Sequence, residues 1–451
     1  MENDTICAIS TPIGTGGISI VRMSGSNALA IAFKIFSSKN VSQESIKPRY
    51  FYLGNIHTAD VNEKCMMVYF KAPYSYTGED LVEFQCHGGV LVTQKVLQSL
   101  IESGARIAQG GEFTKRAFVN GKLSLDEAEG VIDVINAESE SELKASYGLL
   151  KGNLHKEVEK LQNIITDILS EINVTFDFPE NDDEEVTSAD VLEKLTRAQK
   201  TLDHIIKTST TGLKLKTGTK VVIVGKPNVG KSSVMNAMLG TDRAIVTSIQ
   251  GTTRDVLEET YIYKGVKFNL IDTAGLHDSN DLVESIGINK AKEILKNADI
   301  VLFVVDGSQE LDNFDKDIIK LLNDKKVIVV VNKCDLKQKI NSSILPHAEH
   351  MECSALENKG ITEIKDKIYN MVIDEKVLSQ NVIITNIRHA EALSKSNEII
   401  LRVITDLQAG ANLELVSLNL QSAWETLGLI TGVSGTEEII ANIFSKFCVG
   451  K

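Results

Sequence analysis

The sequence predicts a multidomain protein of α/β and α class. It has an N-terminal α+β domain, a helical domain, and an inserted α/β module built on a doubly wound, mostly parallel sheet. Three observations carry this. Short strand-like runs separated by glycine pairs fill residues 1–118. Apolar residues then recur at three- and four-residue spacing on either side of a central stretch. That stretch, 217–376, alternates near-continuous apolar runs with helical segments, as parallel strands covered on both faces require. The expected domains are therefore 1–118, a helical domain in two parts at 119–216 and 377–451, and the insertion at 217–376. An insertion of this kind needs only that its two chain ends lie close together.

Within 1–118, residues 18–23 and 66–70 are apolar strand candidates, and Gly14, Gly16, Gly17, Gly88, Gly89, Gly110 and Gly111 mark turns. Val158, Leu161, Ile164, Ile165, Ile168 and Ile172 fall on one face of a helix. Residues 176–185 carry Pro179 and an acidic run, and a solvated loop is expected there. Residues 221–224 form a strand and a helix opens at Lys231, with further strands at 268–271, 301–305, 327–331 and 351–353. Ile439, Ile440, Ile443, Phe444 and Phe447 stripe the last helix, with Ser434 and Glu437 spaced as a capping box.

The 451 residues are 43% hydrophobic and 24% charged, a balance that builds packed cores and excludes wholesale disorder. No window approaches the roughly 18–20 uninterrupted apolar residues of a membrane helix, and the acidic start at Glu2 and Asp4 does not read as a secretory signal. The six cysteines, 7, 65, 86, 334, 353 and 448, form no C-x-x-C pair, so neither a disulfide framework nor a structural zinc site is supported and a cytosolic protein is expected. A net charge of −13 argues against a basic RNA-binding surface, so any nucleic acid must be met through a local patch or a partner. Segment 1–118 carries 11 Lys and Arg against 10 Asp and Glu, so the acidic excess lies in the rest of the chain.

Gly225-Lys226-Pro227-Asn228-Val229-Gly230-Lys231-Ser232 fits G-x-x-x-x-G-K-[ST] between a strand and a helix, the context of a phosphate loop. The main chain from Asn228 through Val229 and Gly230 to Ser233 is placed to surround phosphate oxygens at a helix N-terminus. Lys231 is placed on the β/γ phosphates, and Ser232 on Mg²⁺. Asp272-Thr273-Ala274-Gly275 ends a strand, with Asp272 set to reach the metal through water and the Gly275 N–H to reach the γ-phosphate. In Asn332-Lys333-Cys334-Asp335 the Asp335 carboxylate can accept from guanine N1–H and its amino group, which adenine cannot satisfy. Ser354-Ala355 offers a backbone N–H to the guanine carbonyl. Four elements in this order make a Ras-like P-loop G domain and a GTPase.

Leu276 follows Asp-Thr-Ala-Gly where Ras-like proteins carry a water-orienting Gln, so that role must come from elsewhere. Asn228 and the polar loop 245–255 together can cage a monovalent cation through oxygen ligands, doing the work of an arginine finger; the alternative, that Asn228 is an ordinary loop residue, stays open.

The motifs and their order resemble a known family over essentially the whole chain. They are Asp4-Thr5-Ile6, Ser75-Tyr76-Thr77-Gly78-Glu79-Asp80, His87-Gly88-Gly89, Gly111-Glu112-Phe113-Thr114-Lys115-Arg116-Ala117-Phe118, Asn120-Gly121-Lys122-Leu123, Asp177-Phe178-Pro179-Glu180, the G-domain set with Gly251-Thr252-Thr253-Arg254-Asp255, and the terminal Phe447-Cys448-Val449-Gly450-Lys451. The family is the bacterial tRNA-modification GTPases called MnmE or TrmE, which usually end Cys-Ile-Gly-Lys; Val449 replaces the Ile conservatively.

The resemblance implies a folate-binding, dimerising N-terminal domain, a homodimer, and GTP hydrolysis stimulated by K⁺ and by G-domain dimerisation. It implies a flavoprotein partner, MnmG or GidA, in a heterotetramer. The implied reaction installs an aminomethyl or carboxymethylaminomethyl group on C5 of the wobble uridine of certain tRNAs, with 5,10-methylene-tetrahydrofolate as carbon donor. By position, Asn228, Thr247, Ile249 and Thr252 match the K⁺ ligands, and Ser232 and Thr253 the Mg²⁺ ligands. Thr247, Ser248, Ile249, Gln250, Gly251, Thr252, Thr253, Asp272, Thr273, Ala274 and Gly275 join the phosphate loop in the GTP site. Glu284 matches a carboxylate that orients the attacking water, work open to a carboxylate but not to Leu276.

Arg22, Glu83, Lys122 and Lys451 match 5-formyl-tetrahydrofolate contacts. On chemistry alone, Arg or Lys suits the folate carboxylates and Glu the pterin donors, while the plainer reading is of surface salt-bridge partners. Cys448 is either a packing residue near the chain end or a thiolate nucleophile that adds transiently to the pyrimidine ring. Two further functions compete: a Ras-like switch in ribosome assembly without chemistry of its own, and a mechanical dimer with no small-molecule cofactor. The first is disfavoured by flanking regions that are neutral or acidic rather than basic.

Overall fold

The computed structural model of the chain describes residues 4–58, 62–177, 187–240, 257–272, 294–322, 324–340 and 347–451. In chain order its strands are β1 (Ile6–Ile9), β2 (Ile18–Ser24), β3 (Phe36–Ser37), β4 (Phe51–His57), β5 (Asn62–Phe70), β6 (Leu81–His87), β7 (Arg106–Ile107), β8 (Thr219–Val224), β9 (Leu257–Tyr263), β10 (Val266–Asp272), β11 (Ile300–Asp306), β12 (Val327–Asn332) and β13 (Glu349–Glu352). Its helices are α1 (Ala28–Ile35), α2 (Val90–Glu102), α3 (Glu112–Val119), α4 (Leu125–Asn136), α5 (Glu140–Leu150), α6 (Asn153–Asp177), α7 (Ser188–Thr217), α8 (Lys231–Leu239), α9 (Asn313–Leu321), α10 (Ile361–Val372), α11 (Glu375–Leu378), α12 (Ile387–Gln408), α13 (Leu413–Thr431) and α14 (Glu437–Ser445). They divide between two compact units, Met1–Ile132 with Leu149–Leu195 and Ile399–Lys451, and Asp133–Gly148 with Thr196–Glu398. Among the described residues, no helix is long and apolar enough to cross a membrane.

The first unit holds a seven-stranded sheet in the order β3-β4-β5-β6-β2-β1-β7, antiparallel except for the β1–β7 pair. Strand alternation divides its residues between two faces. Val21, Met23, Val82, Phe84 and Cys86 join Ile31, Ile35, Val96 and Leu100 of α1 and α2 in one core. Full burial of each large aliphatic or aromatic side chain there contributes roughly 1.5–3 kcal/mol. On the other face Ile6 and Ala8 pack on Phe113 of α3. Arg22 and Glu83, cross-strand partners, share that face because they sit one residue out of step with Val21 and Phe84.

In the same unit α6 buries Val158, Leu161, Ile165, Ile168 and Ile172, the predicted stripe, with Ile164 at its margin. It packs against α13, where Gln162 Nε2 donates to the Trp424 carbonyl at 3.1 Å. The helix continues through Asp177, so the expected loop at 176–185 begins later than predicted, and its remainder lies outside the described residues. The last helix is also capped differently. Thr436, not Ser434, is the N-cap, its hydroxyl accepting from the Ile439 N–H. Ser434 belongs to the turn that closes α13, its N–H bonded to the Gly428 carbonyl, so the last helix opens later, at Glu437, and the residue before it is the cap.

The second unit holds a six-stranded sheet in the order β13-β12-β11-β8-β10-β9. Every pair is parallel except β9–β10. Both faces are covered, as the apolar runs require. Val221, Ile223, Leu270, Leu302, Val304 and Val330 pack with residues of α8 and α10. Val222, Val224, Val301, Phe303, Val305 and Val329 face the opposite way, toward Leu322 and α9.

Candidate functional site

The loop between β8 and α8 is shaped by its backbone. Gly230 has φ +95°, and a Cβ there would overlap the Asn332 side-chain amide, so only glycine lets the chain pass this close. Asn228 also has positive φ, 65°, which turns the loop over the start of α8. Gly230 caps that helix without a side chain, leaving the first-turn N–H groups and the positive end of the helix dipole available to an anion. Lys231 is buried and its Nζ donates to the Lys226 carbonyl at 3.0 Å. Burial pushes its pKa below the usual lysine value, against the pull of Asp272. A buried ammonium whose charge is costly gains most from a polyanion. Ser232 Oγ donates to Asp272 Oδ2 at 2.9 Å, bringing a hydroxyl and a carboxylate together at the ends of α8 and β10. Both are hard oxygen donors of the kind Mg²⁺ takes.

The loop after β12 is tied to the phosphate loop. Asn332 Nδ2 donates to the Val229 carbonyl at 2.9 Å, and its Oδ1 accepts from Ala355 N–H at 3.1 Å. Lys333 Nζ donates to the Asn228 carbonyl at 3.2 Å and pairs with Asp306 at 2.6 Å. Burial acts to raise the Asp306 carboxyl, but Lys333 and Ser308 outweigh it and hold the group below the usual range. Ser354 is locked by paired backbone bonds with Lys359, while Asp335 is exposed at the loop's outer side. The described geometry thus joins Asn228, Val229, Gly230, Lys231, Ser232, Asp272, Asn332, Lys333, Ser354 and Ala355, with Ser233 in the first turn of α8. Thr247, Ser248, Ile249, Gln250, Gly251, Thr252, Thr253, Thr273, Ala274, Gly275 and Glu284 lie outside the described residues.

Lys226 was assigned no role from the sequence. Its ammonium reaches Asp312 at 3.2 Å and Asp315 at 3.3 Å, the two acids of the capping box that opens α9. The spacing Asp312-x-x-Asp315 was the available signal, but nothing local links it to a loop 86 residues away.

A second constellation lies in the first unit. A pocket of about 320 Å³ is lined by Arg22, Phe70, Tyr76, Leu81, Glu83, Val131 and Lys451. Arg22 Nε pairs with Glu83 at 2.8 Å, and the guanidinium stands 5.6 Å from the Tyr76 ring centre and 5.7 Å from that of Phe113. The C-terminal tail completes the wall. Ser10 Oγ donates to the Gly450 carbonyl at 3.1 Å, and Val449 bridges to Gly110. Gly450 has φ +97°, and a Cβ there would overlap the Ile9 carbonyl. Three of the four folate candidates therefore meet, with a cation, a carboxylate and aromatic faces suited to a ring bearing N–H donors and a carboxylate tail. Lys122 does not line this pocket; its Nζ donates to the Pro73 carbonyl at 3.0 Å. Cys448 is exposed on the tail and its carbonyl accepts from Gly111 N–H at 3.4 Å. Tyr76 and Phe113, which flank Arg22, were missed as site residues because they lie in the β5–β6 connection and in α3, far from Arg22 along the chain.

A phosphate loop opening a helix off a mostly parallel sheet, a hydrogen-bonded Ser–Asp pair beside it and an Asn-Lys-x-Asp loop bonded back to it define a guanine-nucleotide hydrolase. Comparison with known proteins agrees. The family model for the GTP-binding protein TrmE N-terminus matches residues 5–122, and that for the MnmE helical domain matches residues 125–448. The tRNA modification GTPase MnmE of Clostridioides difficile is 41% identical over 456 residues, covering 100% of this chain and 99% of that one. The same protein of Desulforamulus reducens is 41% identical over 461 residues, covering 100% of each. Among solved structures, the G domain of the T. maritima FeoB iron transporter is 30% identical over 34% of this chain and 97% of that one, with a TM-score of 0.27. The chain belongs to the MnmE family of tRNA modification GTPases, as its motifs implied.

Proposed function

We propose that this chain is a K⁺-stimulated GTPase that acts with a flavoprotein partner, MnmG. Together they place an aminomethyl or carboxymethylaminomethyl group on C5 of the wobble uridine of certain tRNAs. The carbon comes from methylene-tetrahydrofolate. The observation that carries this reading is the presence, in one chain, of a nucleotide cradle and a separate pocket formed by Arg22, Glu83 and Lys451 beside an exposed thiol. The domain division 1–118, 119–216 with 377–451, and 217–376 belongs to the same reading.

In the cradle, Lys231 and the first-turn N–H groups of α8 bind and orient the phosphates, and Ser232 with Thr253 holds Mg²⁺. Asn228, Thr247, Ile249 and Thr252 hold K⁺, and Glu284 orients the attacking water. Replacing K⁺ by Na⁺ is expected to slow GTP hydrolysis at least ~10-fold, because the cage reads cation size. Equal rates in the two salts would remove Asn228 from the ligand set.

In the second pocket, a bound folate supplies an electrophilic one-carbon unit. Arg22 and Lys451 hold its carboxylates and Glu83 its pterin donors. The Cys448 thiolate would add to C6 of the uracil ring and make C5 nucleophilic toward that one-carbon unit; once C5 has bonded the carbon as its bond to the folate nitrogen breaks, loss of the C5 proton would re-form the double bond and expel the thiolate. Gly450→Ala, whose added methyl would collide with Ile9, is expected to displace Lys451 and weaken 5-formyl-tetrahydrofolate binding about 10-fold or more, read by calorimetric titration. Unaltered affinity would show that the tail is no part of the folate site.

Homodimer formation through the N-terminal domain is supported by an open apolar sheet face. Phe51, Leu53 and Met66 are 56%, 54% and 38% exposed. They lie on the face that continues across Val68 and Glu83 to Arg22.

The test is mass spectrometry of wobble nucleosides in tRNA from cells lacking this protein. Loss of the C5 group supports the proposal. An unaltered wobble uridine would refute it and favour a ribosome-assembly switch.

A further inference from the structure

The first unit contains a larger cavity, about 550 Å³, between α3 and α14. Its size is that of a small-molecule site. One wall is an ion network. Arg106 pairs with Asp4 at 2.6 Å and Glu112 at 2.7 Å, and Arg116 with Asp4 at 2.7 Å, Glu112 at 3.1 Å and Glu79 at 3.2 Å. Burial acts to raise Asp4 and Glu112, but the two guanidiniums hold both carboxyls below their usual values. The network stays ionised and mutually satisfied, so it is a rigid wall and not a site waiting for counter-charge.

What remains for a ligand is a short set of groups. Lys115 is exposed, with no ion pair among the described residues. The Gln109 side chain carries an amide donor and acceptor. Asn120 spends its Nδ2 on the Thr77 carbonyl at 2.7 Å and keeps Oδ1 as an acceptor. The Gln109 amide donor and the Asn120 Oδ1 acceptor complement a carbonyl and the N3–H of the uracil edge. A lone ammonium is the complement of a backbone phosphate.

Position supplies the second argument. Ser445 lines this cavity and Lys451 lines the Arg22 pocket. Cys448, exposed while Cys7, Cys65, Cys86 and Cys353 are buried and Cys334 half-buried, lies between Ser445 and Lys451 along the tail. The tail is pinned there by Gly110 and Gly111.

We propose that this cavity is the docking site for the wobble nucleotide. Lys115 takes a flanking phosphate, and Gln109 and Asn120 read the uracil edge. The proposal rests on the folate-dependent tRNA-modification reading and adds the place where the RNA substrate enters.

The test uses full-length protein, with and without the flavoprotein, and a synthetic anticodon stem-loop carrying uridine or cytidine at the wobble position. Stem-loop affinity is read by fluorescence anisotropy across a salt series. Affinity for 5-formyl-tetrahydrofolate and its polyglutamate form is read by calorimetry. Lys115→Ala is expected to weaken stem-loop binding about 5- to 10-fold and to reduce the salt slope by ~0.7, one phosphate on a single strand, with folate affinity unchanged. Gln109→Leu is expected to lower the preference for uridine over cytidine. Stem-loop binding unchanged in both variants would overturn the site. So would a loss confined to folate polyglutamate, which would make the cavity a subsite for the folate tail. Wild-type protein that binds folate but not the stem-loop also overturns the site while leaving the folate reading standing. Protein that binds neither refutes that reading and the site with it.

Discussion

Asp335→Asn is expected to lower affinity for GTP by between about 5-fold and 150-fold, and to raise affinity for xanthosine triphosphate. The carboxylate accepts from two donors on the guanine edge, and the amide turns one acceptor into a donor facing them. That one mismatched polar contact costs roughly 1–3 kcal/mol. Xanthine presents a carbonyl where guanine has its amino group, and the new amide can donate to it. The surroundings should survive the change. Asp335 is exposed, and its loop is held by Asn332 on Val229 and Ala355 and by Lys333 on Asn228 and Asp306. Fluorescent-nucleotide titration reads both affinities. Unchanged GTP affinity would remove Asp335 from base reading.

Cys448→Ser is expected to abolish wobble-uridine modification, to less than about 1% of wild type, while GTP hydrolysis persists. A serine hydroxyl has too high a pKa to supply a nucleophile without a dedicated base. The change is nearly isosteric, and the residue is exposed, so the fold and the Gly450-anchored tail should be retained. None of the phosphate loop's contacts among the described residues involves the thiol, so GTP hydrolysis has no need of it. Modification is read by mass spectrometry of tRNA nucleosides, and GTP hydrolysis by phosphate release. Full modification by the serine variant would leave Cys448 a packing residue.

The nucleotide site was the most legible part because its chemistry is local. Gly225 to Ser232 is a contiguous strand–loop–helix turn, and Asp272 and Asn332 each end an apolar run that reads as a strand. The capping of the last helix was misread for a reason equally local in appearance. Ser434 has the spacing of a cap, but it lies in the turn that closes the preceding helix, a placement that no pattern of residue types records. Lys226 escaped notice because its partners, Asp312 and Asp315, reach it only when β8 and β11 lie side by side.

By itself the amino-acid sequence determined the order of the motifs, the parallel strands, the helical stripe of α6 and the family, since each is encoded by residues a few positions apart or by a contiguous match. The tertiary structure alone decided that residues 440 positions apart, Ser10 and Gly450, lie against each other, so that Arg22, Glu83 and Lys451 form one pocket. It also decided that Lys122 stands outside that pocket and that a second cavity opens between α3 and α14. Contacts of that kind depend on the packing of a whole sheet against a returning chain end, and residue identity along the chain carries no measure of distance through space.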